Sequence, residues 1–199
     1  MKPIATLLLL AAAASAQSTK MPERVDASTP RNIQVALAES AAPKEVTSKA
    51  TILVLGKNGY EMARRGSNGF TCMIARQRPD SMEPECYDAE GAATTLKVDM
   101  FLEEQRAKGV SEAEITKQIE AGYKSKRFLA PRKPGIVYMM SPHNRVFDPS
   151  QGKIIAFPGH LMFYAPYLTA KDVGSGKGAP YLTAPGKPDN LMVVVPAGH

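Results

Sequence analysis

His160 is the residue of this chain best placed by its surroundings to do chemistry. It stands at a bend marked by Pro158-Gly159, between the apolar runs Ile154 to Phe157 and Leu161 to Tyr164, and Tyr164, Pro166 and Tyr167 follow it. An imidazole beside tyrosines can bind a small molecule, or pass a proton as general acid or base, because its ordinary pKa lies near neutrality. At a strand end the same side chain also serves as a structural hydrogen-bonding group. His143, in Ser141-Pro142-His143-Asn144-Arg145, is the second ligand-binding candidate, and with His160 and Asp148 or Asp172 it would make a mixed metal site. Zinc takes at least three protein ligands, and close ligand spacing such as HExxH is missing, so neither metal nor cofactor is expected.

Asp88 and Glu90, in Cys86-Tyr87-Asp88-Ala89-Glu90-Gly91, would point the same way on a strand and supply an acid/base pair. They also precede a helix expected to begin near Thr94, where carboxylates favour the positive end of the helix dipole. Ser141 lacks a GxSxG context. The run Gly174-Ser175-Gly176-Lys177-Gly178 departs from a phosphate loop, with Lys171 where the first glycine belongs and Gly178 where Ser or Thr is required.

Compartment narrows the choices. Lys2, the eleven-residue apolar run Ile4 to Ala14 and the small-x-small triplet Ala14-Ser15-Ala16 read as a secretory signal peptide cleaved after Ala16. The run falls short of the roughly 20 apolar residues a permanent span requires, and no cysteine stands at the cleavage point to carry a lipid. A soluble periplasmic or secreted protein without a transmembrane anchor is expected. Its cysteines, Cys72 and Cys86, are an even pair bound for an oxidising compartment and should form one disulfide. The closed loop of about 15 residues would contribute roughly 3 kcal/mol on the chain-entropy model. The segment 76–85 inside it carries two prolines and few apolar residues, so it reads as a loop held by that bond.

The chain has 199 residues and a formal charge of +6, and the densest basic patch is Lys124, Lys126, Arg127, Arg132 and Lys133. Outside the cytoplasm this excess argues against nucleic acid and ATP as partners. It leaves a small molecule or an anionic envelope component, beside the plain reading of a solvated surface.

The elements that would position these residues follow from pattern. Residues 17–29 are polar and aperiodic, a flexible leader; residues 30–199 should form a single domain. Thr29-Pro30 opens a short helix with Ile33, Ala36 and Leu37 inward, ended by Pro43. Three strands in a meander are expected from Ala50 to Leu55, Tyr60 to Arg64 and Phe70 to Arg76, joined by turns at Asn58-Gly59 and Asn68-Gly69. A helical hairpin should follow. Its first helix, Thr94 to Lys108, would turn Val98, Phe101, Leu102 and Gln105 inward and Glu103, Glu104 and Arg106 to water. The second opens at the capping box Ser111 to Glu114, with Ile115, Ile119 and Tyr123 on one face. Strand-like runs return at Ile136 to Met140, Lys153 to Phe157, Leu161 to Tyr164 and Leu191 to Val195, with a Gly/Pro-rich loop at 171–190. The hexapeptide Ala165 to Ala170 recurs as Ala179 to Ala184, too short a repeat for a solenoid. The expected class is α+β, with an antiparallel sheet built from an N-terminal meander and C-terminal strands.

With Ala50 to Val54, Asn68-Gly69-Phe70-Thr71-Cys72, Pro84-Glu85-Cys86 and Pro158-Gly159-His160-Leu161-Met162 in this order, the chain resembles a family of uncharacterised bacterial exported proteins. Members are similar in a short helix, an Ala-Thr-apolar strand, an Asn-Gly-aromatic-Thr-Cys motif, a second cysteine after a proline-containing loop, and a late Pro-His-x-Met segment. Here that segment holds one inserted glycine, and Phe70 stands where relatives carry tryptophan. The resemblance runs from about Ile33 to Pro196 and implies a disulfide-bonded single domain with no known activity. Three functional readings remain: a non-catalytic ligand- or envelope-binding domain using His160, Tyr164, Tyr167 and His143; a hydrolase with His160 as base, assisted by Asp88 or Glu90; and a structural or interaction module.

Overall fold

In the computed structural model, which describes residues 21–174, 176 and 179–195, the chain is α+β and its large sheet is dominated by antiparallel pairs. The expected signal peptide, residues 1–16 with cleavage at Ala16, lies outside the described residues. The β-branched and apolar run β1 (Thr51–Gly56) folds back on β2 (Gly59–Arg64) across the expected turn.

The next strand departs from a meander. β3 (Thr71–Ala75) lies on the far side of β1 and runs parallel to it, pairing Thr51 with Thr71 and Ile52 with Cys72. The intervening chain passes over the start of β1: Ser67 N–H donates to the Lys49 carbonyl and Gly66 N–H to Thr51 Oγ1. A side chain at Gly66 would collide with the backbone of Lys49, Ala50 and Thr51, so only glycine permits this crossing.

β4 (Glu83–Tyr87) then pairs antiparallel with β3, bringing Cys72 opposite Cys86, and the two cysteines are joined by the disulfide. The last three residues of the segment read as a tethered loop, 76–85, therefore belong to a central strand that is buried along its whole length. The sheet continues through β5 (Ile136–Met139), β8 (His160–Tyr164), β10 (Leu191–Val194) and the short edge strand β9 (Tyr181–Leu182). The 171–190 segment is thus not wholly loop, since it holds β9 and most of a short helix, α6 (Ala170–Val173). β6 (Arg145–Asp148) and β7 (Lys153–Ala156) form a separate hairpin, so the Lys153 run does not join the main sheet.

Helices cover the two faces. On one, α1 (Arg31–Glu39) and α2 (Lys44–Thr47) lie at the N-terminal side of the sheet, and Ala38 and Ala41 pack on Ile52, Cys72 and Cys86. Val25 is buried with Ile33, Leu37, Ile74 and Met82, so part of the expected leader belongs to the core. The Gln34 amide closes the gap where β3 leaves β1, accepting from Leu55 N–H at 2.7 Å and donating to its carbonyl at 3.2 Å. Strand-like pairing by a side chain satisfies a backbone that would otherwise be orphaned.

On the other face lie α3 (Ala89–Ala93), α4 (Thr95–Ala107) and α5 (Glu112–Lys124), the last capped by Ser111. α4 buries two stripes: Val98 and Phe101 meet Phe128 and α5, while Leu96, Asp99 and Glu103 are buried in register along the helix. Glu103 and Arg106 consequently do not face water. The Glu103 carboxylate, 2% exposed, receives Arg76 through two hydrogen bonds and Arg106 at 2.5 Å, and Arg106 continues to Glu112 at 2.8 Å. A helix-surface pattern of charges reads as solvated, yet here the charges neutralise one another between elements.

Removing one member of this network leaves buried guanidinium groups unpaired. Glu103→Ala should cost about 3 to 5 kcal/mol in urea denaturation, whereas truncating Glu104, on the exposed side with Lys108, should leave the midpoint unchanged.

Candidate functional site

Strand alternation places Glu83, Glu85 and Tyr87 on the face of β4 opposite Cys86. With Met139, His160, Met162, Leu191 and Val193 from β5, β8 and β10 they floor a cavity of about 540 Å³. α4 roofs it with Thr95, Val98, Asp99 and Leu102, and α5 adds Ile119. Phe157, Tyr181 and Asp189 lie at its sides, and Tyr181 remains largely exposed. The volume falls within the range that holds small organic ligands, about 300–1,000 Å³.

The acidic end has a defined proton arrangement. The Tyr87 hydroxyl reaches Glu85 Oε2 and, at 2.8 Å, Asp99 Oδ2. One hydroxyl carries one hydrogen, so two contacts with carboxyl oxygens require a carboxyl proton as well. Asp99 also accepts from the Gln77 amide at 3.2 Å, while Glu85 has no further donor among the described residues. The proton therefore belongs on Glu85, which donates to Tyr87, and Tyr87 donates to Asp99.

Burial drives the titration of this group. It raises Glu85 well above the usual carboxylate range, with the charges of Asp99 and Glu83 adding to the effect. It pushes Asp99 up to about 6 against the opposing hydrogen bonds of Tyr87 and Gln77, and Glu83 up to about 7. Tyr87 is raised by the same cause. Asp189 is also raised by burial, offset by its own backbone N–H and by Lys187. Perturbed carboxyls gathered in a cleft are a common mark of a functional site.

His160 is 8% exposed, and its Nδ1 is 3.0 Å from the Pro158 carbonyl oxygen. That carbonyl can only accept, so Nδ1 carries the hydrogen and Nε2 is left as the basic nitrogen of the neutral ring. The bend that marked His160 in the sequence is what supplies this carbonyl.

Of the other sequence candidates, none lines the cavity. Asp88 caps α3 by accepting from Gly91 N–H at 2.9 Å, and also accepts from Ile136 N–H at 3.0 Å and the Tyr164 hydroxyl at 2.9 Å. Asp88 and Tyr164 thereby join α3, β5 and β8. Side chains at Gly91 or Gly135 would strike the Tyr164 ring, so the two glycines leave the space it occupies. Glu90 accepts from Arg132 N–H at 2.7 Å. His143 lies half-buried in the turn after β5, where burial and then Arg145 lower its pKa, and Ser141 beside it meets the Ser40 hydroxyl at 2.7 Å. Tyr167 is 61% exposed at a positive φ of 65°. Among the described residues no group of three or more His, Cys, Asp or Glu side chains is arranged to hold a metal ion.

Glu83, Glu85, Tyr87 and Asp99 are the residues that sequence reasoning missed. The signal was the alternation Glu-x-Glu-x-Tyr running into the second cysteine, masked by Pro84. No family model, curated protein or solved structure matches this chain.

The raised carboxyls fix the sign of the pH dependence. Glu83 moves from 4.5 to about 7, so it binds its proton more tightly folded than unfolded. Its contribution is fully present below pH 4.5 and is lost as pH rises through about 7. Glu112, held low by Arg106, acts oppositely and weakens the fold as pH falls through the carboxylate range. Stability should peak near about pH 5. Glu83→Gln should flatten the decline toward pH 8 and stabilise the protein there by on the order of 2–3 kcal/mol, read from urea midpoints across pH.

Proposed function

We propose that this protein is an exported, small-molecule-binding domain whose ligand occupies the cavity between the sheet and α4. The observation that carries the reading is the cavity itself, about 540 Å³, lined mostly by aliphatic and aromatic residues and carrying the carboxyl groups of Glu83, Glu85, Asp99 and Asp189. The export component has its own support. The Cys72–Cys86 disulfide suits an oxidising compartment, and no helix among the described residues is long and apolar enough to cross a membrane. Removal of residues 1–16, a periplasmic or extracellular location and membership of the exported family that the chain resembles belong to the same proposal.

His160 favours a second reading. Its Nε2 is free of the Pro158 contact, and it shares a cavity with Glu83, Glu85 and Asp99, so a base and carboxyls of raised proton affinity stand around one volume. Such a set suits hydrolysis by general acid/base catalysis. Asp88 and Glu90 have no part in this version, since both are engaged with backbone N–H groups elsewhere.

Filling the cavity separates binding from folding. Val193→Trp should keep the cooperative unfolding transition and abolish the stabilisation that a small-molecule library gives the wild type, about 2.7 kcal/mol for a ligand at 100 times its Kd. A library that stabilises neither protein argues against the reading. Turnover of ester or glycoside substrates that disappears in His160→Asn, with binding retained, would select the hydrolase instead. Intact mass of the exported protein should correspond to a chain beginning at Gln17 with no thiol open to alkylation.

A further inference from the structure

We propose that the acidic end of the cavity recognises an organic cation, a primary ammonium group carried on an apolar body. This inference rests on the small-molecule reading and names the class of ligand. The chain carries 25 Lys and Arg against 19 Asp and Glu. The described cavity wall reverses that balance: Glu83, Glu85, Asp99 and Asp189 line it, and no Lys or Arg does. An anionic ligand would meet only like charge, whatever its shape.

Two polar groups on this wall are almost fully buried. Glu83 is 7% exposed, with the Ser81 hydroxyl and the Gln77 N–H as its neighbouring donors. Thr95 is also 7% exposed, and its Oγ1 has no hydrogen-bond partner. Buried polar atoms left this way mark a place where a ligand donor or acceptor is missing. An ammonium group carries three donors and no acceptor, which suits a carboxylate and a hydroxyl oxygen.

The rest of the cavity decides what kind of cation enters. Val98, Leu102, Met139, Phe157, Met162 and Leu191 present carbon to the ligand, a lining that a hydrated metal ion cannot use. The described residues also hold no cluster arranged for metal ligation. An apolar body would bury against these walls while its ammonium lies against Glu83.

Proton exchange accompanies the event. The carboxylic acid of Glu83 gives up its proton to solvent as the ammonium pairs with the resulting carboxylate, so charge at the site stays balanced. The groups facing Glu83 are Glu85 and Tyr87 on its own strand, Asp99 on α4, Arg78 in the β3–β4 loop, His160 on β8 and Asp189 before β10. Only Arg78 in that set is permanently cationic, and it does not line the cavity. Affinity for an amine must then fall with acidification, about tenfold per pH unit once Glu83 is protonated in the free protein.

Three probes with one apolar body test this by calorimetric titration: 3-phenylpropylamine, 3-phenylpropanol and 3-phenylpropanoate. The amine is expected to bind at least tenfold more tightly than the alcohol at pH 8, and at pH 6 to bind more weakly and release a proton, while the carboxylate does not bind. Glu83→Gln should reduce amine affinity at least tenfold and leave the alcohol unchanged, and Thr95→Val should weaken the amine severalfold with the fold retained. An amine that binds no more tightly than the alcohol, or equally at both pH values, overturns cation recognition and leaves the small-molecule reading standing. If none of the three binds, cation recognition is overturned. If the wider library also fails to stabilise the wild type, both readings fall.

Discussion

One tyrosine hydroxyl between two carboxyl groups is the constraint on which the middle of this protein depends. Tyr87 can serve Glu85 and Asp99 together only if a proton is retained, and it is burial away from water that retains it. β4 therefore occupies an interior position in the sheet, α4 descends onto it, and apolar residues of β5, β8 and β10 extend the enclosure. One turn further along α4 the same difficulty meets the opposite answer. Asp99 is raised by burial but held by donors, the Tyr87 hydroxyl and the Gln77 amide, whereas Glu103 is buried between Arg76 and Arg106. Two acidic side chains four residues apart on one helix are thus stabilised by unlike means, one by a hydroxyl and an amide, the other by guanidinium groups.

Local signals were legible where a residue's own backbone decides the outcome. The Asn58-Gly59 turn, the Ser111 cap and the two helices on either side of Gly109 follow from short-range preferences, and the structure has them. The disulfide was legible from the even cysteine count and the expectation of export. β4 was not, because Glu-Pro-Glu is polar by composition and becomes buried only when a helix brings Asp99 to it. The parallel placement of β3 was equally hidden, since Asn68-Gly69 announces a turn without saying which side of β1 the chain will reach.

The candidate site was half legible for a related reason. His160 announced itself through Pro158-Gly159, and the Pro158 carbonyl does orient its ring. Asp88, an acid/base candidate that read equally as a carboxylate at a helix start, caps α3 and is a junction, accepting from three donors that belong to α3, β5 and β8. A carboxylate so fully engaged is poorly suited to exchanging protons with a ligand. Glu83, which lines the cavity, has the raised proton affinity that such exchange needs.

The disulfide has a consequence for the cavity although it lies on the other side of the sheet. Along β4, Cys86 alternates with Glu85 and Tyr87, and its bond to Cys72 fixes which of the two sets faces α1. A slip of one residue would exchange them, sending both glutamates into the alanine-lined packing beneath α1. The covalent link thus acts as a phase marker for the strand. It secures which way the acids point as well as how firmly the chain holds together, so the polarity of the cavity is written in a bond that never touches it.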